Sequence, residues 1–93
     1  MIKSFADADT ELLWIEGKSR RIPANLRKSA LKKLLILHRA FQLSDLNAPP
    51  GNQLELLRGD RKGQHSIRIN LQFRICFLWS EGNACNVEIV DYH

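Results

Sequence analysis

The hydrophobic period of this 93-residue chain changes once, and the change decides its fold class. Up to Phe41, apolar residues recur at intervals of three and four. Beyond the loop Asp45-Leu46-Asn47-Ala48-Pro49-Pro50-Gly51 they alternate. The first spacing marks an amphipathic helix, and the second a strand with one buried face. Leu26, Ala30, Leu34, Leu37 and Phe41, flanked by Leu31, Leu35 and His38, make a broad apolar stripe that predicts a helix over residues 24–40. Pro23 suits its first turn, where a missing N–H costs nothing. A shorter helix is predicted over 10–15, with Asp7 or Asp9 to cap it, acids in its first turn and Gly17 to stop it. Ile2-Lys3-Ser4-Phe5 adds a short first strand.

After the loop, strands are predicted over 53–58, 65–70, 73–79 and 86–90, separated by turns at 59–63 and 81–83. Ile67 and Ile69 share one face of the second of these. Phe73, Ile75, Phe77 and Trp79 share one face of the third, which sends Arg68, Arg74, Cys76 and Leu78 to the other. The expectation is an α+β domain, with two N-terminal helices packed on one face of a small antiparallel sheet. A chain of 93 residues makes a single domain spanning 1–93, at roughly 100–200 residues per domain.

Charge is distributed unevenly. Residues 1–16 carry a net −3, residues 17–44 a net +8 without one acid, and residues 45–93 a net −1. The eight cations are Lys18, Arg20, Arg21, Arg27, Lys28, Lys32, Lys33 and Arg39. A single-sign block of that size predicts a polyanionic partner, such as nucleic acid or a ribosome. The alternative is a solvated basic helix face. The longest apolar run, Leu34-Leu35-Ile36-Leu37, falls far short of the ~20 residues of a membrane span. The opening Met1–Asp7 segment lacks an apolar stretch of signal-peptide length, so a cytoplasmic protein without membrane contact is expected. Cys76 and Cys85 make neither a disulfide framework nor a metal cluster, and His38 has no partner at helical spacing with which to bind one.

The alternation places Arg68 and Arg74 on adjacent strands, on the face away from the helices. Two guanidinium groups there can grip a phosphate, although they also read as ordinary outward charges. Glu55 and Arg58 lie on the neighbouring strand, and Asp91, Tyr92 and His93 follow the last one. These groups supply a base, an acid and cations, the set for RNA cleavage through the 2′-hydroxyl, a route that needs neither metal nor cofactor.

The run Leu54-Glu55-Leu56-Leu57-Arg58-Gly59-Asp60-Arg61-Lys62-Gly63-Gln64-His65-Ser66-Ile67-Arg68-Ile69-Asn70, then Phe73-Arg74-Ile75-Cys76-Phe77 and Asp91-Tyr92-His93, resembles the HigB toxins of the RelE/ParE superfamily. Met1-Ile2-Lys3-Ser4-Phe5 is similar as well, so the resemblance covers essentially the whole chain. It implies a toxin of a type II toxin–antitoxin system that enters the ribosomal A site and cuts mRNA there. It also implies a cognate helix-turn-helix antitoxin, HigA-like, whose complex with the toxin binds operator DNA. By position, Arg68 and Arg74 match the family's strand arginines, Arg58 a basic strand-end residue, and Asp91, Tyr92 and His93 its catalytic C-terminal cluster. Arg27, Lys28, Lys32 and Lys33 on the second helix would then hold ribosomal RNA.

Where several HigB members carry a histidine followed by proline, this chain has Glu55 and Leu56. A carboxylate, with an ordinary pKa near 4.3 against about 6.5 for imidazole, makes a weaker general base. His65 has the parity opposite to Arg68 and reads better as a partly buried strand residue. The same fold also serves ParE-like toxins, which block DNA gyrase without chemistry and need no acid–base cluster.

Overall fold

In the computed structural model, residues 1–91 are described, and Tyr92 and His93 lie outside them. Helix α1 spans Ala8–Glu16, and Asp7 caps it by accepting from the Thr10 N–H at 3.1 Å and the Thr10 hydroxyl at 2.6 Å. Gly17 ends it in the left-handed conformation, at φ 72°, and donates its N–H to the Leu13 carbonyl. Helix α2 spans Ala24–Arg39, one residue short of the expected end. Ala30, Leu34 and Leu37 are its fully buried residues. Phe41 lies past the helix end and is 86% exposed, so the predicted stripe stops at Leu37; Leu35 also faces out. His38 packs at the stripe's edge as the spacing implies. Its ring lies 5.2 Å from that of Trp14, and its Nδ1 accepts the Ile2 N–H.

Four antiparallel strands follow in the order β1 (Glu55–Leu56), β2 (His65–Arg68), β3 (Phe73–Ser80) and β4 (Asn83–Asp91). Ser80 pairs with Asn83 across a two-residue turn whose Glu81 and Gly82 both have positive φ, 51° and 79°, as a tight hairpin with native twist requires. Strand β4 starts three residues earlier than expected because this turn is so short. Strand β1 is much shorter than the predicted 53–58. Gln53 adopts φ 45°, off the extended region, and from Gly59 the chain coils into a single 3-10 turn, Gly59–Arg61. The predicted first strand is two isolated bridges, Ile2 with Ala84 and Phe5 with Val87, parallel to β4.

The helices cover one face of the sheet. Leu13, Ile22, Ala30, Leu34 and Leu37 meet Ile67, Ile75, Phe77, Val87 and Ile89 in the core. Thr10 ties the layers together, its hydroxyl accepting the Ile89 N–H at 3.1 Å. The other face is covered too, contrary to the expectation that it is open. Ser66, Arg74 and Cys76 have its parity and are buried, as is Leu57. Over the Cys76 and Glu88 pair the 59–64 turn folds back. Leu57 N–H bonds the Gln64 carbonyl, and Arg61 reaches both Gln64 and, at 3.0 Å, Glu88 of β4. Alternation tells which way a side chain points, but not whether a turn will fold over it.

Candidate active site

The β2–β3 register sets Arg68 directly opposite Arg74. With Gln53, Asn70 and Leu71 they line an open cleft of about 360 Å³ that has no acid among its described lining residues. Asn70 shapes the connection between the strands, its side-chain oxygen accepting the N–H groups of Gln72 and Phe73. This leaves Leu71 on the rim, 87% exposed beside the cations.

The two arginines differ in how they are held. Arg74 is buried, at 7% exposure. Its Nε donates to the Ser66 hydroxyl at 2.8 Å, and one terminal nitrogen donates to the Gln53 carbonyl at 2.5 Å and the Ser66 carbonyl at 3.4 Å. Arg74 is therefore part of the wall, not the freely exposed charge that parity alone implied. Arg68 is half-buried, and among the described residues its guanidinium has no hydrogen-bond or ion-pair partner. Like charges directly across a ladder repel, so the arrangement favours any anion placed between them.

A third cation stands close by. Lys33 of α2 donates to the Asn52 side-chain oxygen at 2.5 Å. Burial lowers the pKa of its ammonium, and the charges of Lys32 and Arg68 lower it further. Asn52 is fully buried and donates in turn to the Leu46 and Ala48 carbonyls, both at 3.1 Å. Asn52, Gln53, Asn70 and Leu71 were not singled out by the sequence. Asn52 sits in a segment whose composition says only loop, and no local signal marks it.

The remaining predicted residues are dispersed. Glu55 is exposed on β1 opposite Ser66 and does not line the cleft. Asp91 ends β4 opposite Phe73, on the parity opposite to Arg74, and accepts from the Gln72 amide at 3.1 Å. Tyr92 and His93 lie outside the described residues. His65 stacks near Phe77, with ring centres 6.2 Å apart, on the helix-facing parity. Arg58 is exposed at a separate, mostly apolar cleft with Leu56, Leu57 and Lys62.

The basic block also divides. Arg27 is occupied with the Ile22 and Ser19 carbonyls at 3.1 and 2.8 Å, where it fastens the link between the helices. Arg21 pairs with Asp7 and Asp9. Burial raises the Asp9 pKa, but the Ser19 hydroxyl, the Arg20 and Arg21 backbone N–H groups and the Arg21 charge outweigh it, and the net shift is downward. Lys28 and Lys32 do stand exposed on the outer face of α2, beside Leu31 and Leu35. So Arg27 and Lys33, expected as surface contacts, are structural partners, and Lys28 and Lys32 are not.

A family model described as "RelE-like toxin of type II toxin-antitoxin system HigB" matches residues 3–93. The chain is 41% identical over 87 residues to Toxin HigB-1 of Vibrio cholerae serotype O1, covering 92% of each chain. It is 32% identical over 93 residues to Endoribonuclease HigB of Proteus vulgaris, covering both completely. Among solved structures, the YoeB-YefM complex from Staphylococcus aureus shares the fold, with a TM-score of 0.61 at 15% identity, covering 100% of this chain and 98% of that one.

Proposed function

The chain belongs to the HigB family of RelE-like toxins of type II toxin–antitoxin systems, and we propose that it is an endoribonuclease that cuts mRNA in the ribosomal A site and so halts translation and growth. The observation that carries this reading is the cleft walled by Arg68 and Arg74, which has no acid among its described lining residues. Cleavage by the 2′-hydroxyl concentrates negative charge on the phosphate as the new P–O bond forms. Arg68, with its donors uncommitted among the described residues, takes a non-bridging oxygen. Arg74, fixed by Ser66 and Gln53, supplies a charge that needs no reorganisation during the reaction. Tyr92 and His93 move the protons, Glu55 or Asp91 accepts or orients, and Leu71 offers an apolar surface to the flanking base.

Lys28 and Lys32 hold ribosomal RNA through the outer face of α2, with Arg58 as a further cation. Contacts of that type give affinity and salt dependence, while the ribosome supplies the choice of site. The toxin acts in the cytoplasm and is neutralised by a HigA-like helix-turn-helix antitoxin, and only that complex binds operator DNA. No helix among the described residues is long and apolar enough to cross a membrane.

The test is a reporter mRNA translated in a purified system, with and without ribosomes. Cut mRNA only when ribosomes are present is the expected result. Intact mRNA together with inhibited gyrase supercoiling would establish the ParE-like activity instead, which the match to a relative named as an endoribonuclease disfavours.

A further inference from the structure

Two residues stand out beside Arg74: a fully buried asparagine, and after it a cleft-lining glutamine held in a left-handed conformation. Asn52 and Gln53 are consecutive. Asn52 accepts from Lys33 of α2 and donates to the Leu46 and Ala48 carbonyls, which fixes the loop on two sides. The next residue turns to φ 45°, a region that side chains other than glycine seldom occupy, and its carbonyl receives the Arg74 guanidinium. Strain of this kind persists where the surroundings over-determine it, and it clusters at functional sites.

We propose that Lys33 and Asn52 form a relay that positions Arg74: the ammonium on α2 sets the side chain of Asn52, Asn52 sets the peptide of Gln53, and the Gln53 carbonyl sets the guanidinium. Lys33 and Asn52 are positioning residues, acting on RNA only through Arg74. The path is continuous from helix to cleft: two hydrogen bonds of 2.5 Å joined by the covalent frame of Asn52 and Gln53. Lys33 is the residue on α2 that can do this, because burial and the charges of Lys32 and Arg68 make its ammonium costly to hold without an acceptor. The proposal rests on the endoribonuclease reading for its effect on rate, but not for its effect on geometry.

The test uses Lys33→Met, which keeps the stem and removes the ammonium, and Lys33→Arg, which restores a donor. In single-turnover cleavage on programmed ribosomes, Lys33→Met should lower the maximal rate roughly tenfold or more, as a small misplacement of a catalytic group does. The toxin concentration at half-saturation should stay unchanged, and Lys33→Arg should recover most of the rate. Combined with Arg74→Ala, Lys33→Met should cost nothing further, since both act through one group. An additive loss, or a loss confined to half-saturation, would overturn the relay and return Lys33 to RNA binding. A second readout is independent of activity. The nitrogen resonances of the Arg74 guanidinium should shift in Lys33→Met and return in Lys33→Arg. If they stay fixed, the relay is wrong even where wild type cleaves. If they move while wild type cuts no mRNA, the relay stands and the endoribonuclease reading falls.

Discussion

Replacing Arg68 and Arg74 by alanine, one at a time, should separate activity from stability. Both changes remove a cation from the cleft, and each should slow cleavage by about 3 kcal/mol of transition-state stabilisation, or roughly a hundredfold. Their cost to folding should differ. Arg74→Ala strips the donor from a Ser66 hydroxyl that is completely buried and from the carbonyls of Gln53 and Ser66. A buried polar group left without a partner costs about 1–3 kcal/mol, so the total is on the order of 3 kcal/mol. For a chain of 93 residues that is roughly 10–20 °C in Tm. Arg68→Ala breaks no hydrogen bond among the described residues and removes a like charge from opposite Arg74, so its stability should stay within about 0.5 kcal/mol of wild type. Urea denaturation and single-turnover cleavage, run on the same preparations, measure both quantities. Equal destabilisation by the two variants would refute the assignment of Arg74 to the wall, and wild-type cleavage by Arg68→Ala would remove it from the chemistry.

Reversing Lys28 and Lys32 to Glu should weaken ribosome co-sedimentation, most steeply at low salt, without changing the cleavage rate at saturation, whereas Arg27→Ala should lower stability by about 1–2 kcal/mol and leave the salt dependence intact. Asp9→Ala should destabilise the fold at neutral pH by about 2 kcal/mol, because the carboxylate accepts from the Ser19 hydroxyl and the Arg20 N–H. The folded pKa of Asp9 lies below its ordinary value of 3.8, so this stability is present above 3.8 and vanishes as pH falls through the folded value; urea midpoints of wild type and variant should converge there. Cys76, buried and with its thiol pKa pushed up chiefly by burial, should react with a thiol reagent only after unfolding, while half-buried Cys85 reacts in the native state. Labelling followed by peptide mapping gives the order.

The elements that were legible in the sequence are those governed by local patterns. The stripe on α2, an aspartate cap at Asp7 or Asp9, the Gly17 stop and the inward set Ile67, Ile75 and Phe77 each follow from spacing or from one residue's local preference. The placement of Arg68 and Arg74 on adjacent strands with the same parity was equally readable, while their direct pairing is set by the register of the β2–β3 connection. What could not be read depends on non-local contact. The holding of the Arg74 guanidinium needs Gln53, 21 residues away in sequence, to present its carbonyl. The occupation of Lys33 and Arg27 needs acceptors that lie 19 and eight residues away in sequence. Charge counted along a chain cannot distinguish a cation that meets a carbonyl from one that meets water.

The borders of the sheet carry a consequence for solubility. At β4, the backbone facing outward is taken by Ile2 and Phe5, and further along by the Thr10 hydroxyl. At the opposite border, β1 offers only two ladder residues, Glu55 and Leu56, between the left-handed Gln53 and the coil that begins at Gly59. Short borders, a charge on the border and side chains that occupy its donors all deny a second chain the row of unpaired amides that seeds fibres. A toxin must remain dispersed to act, and these two borders give a basic chain of 93 residues little surface on which to stack with its own copies.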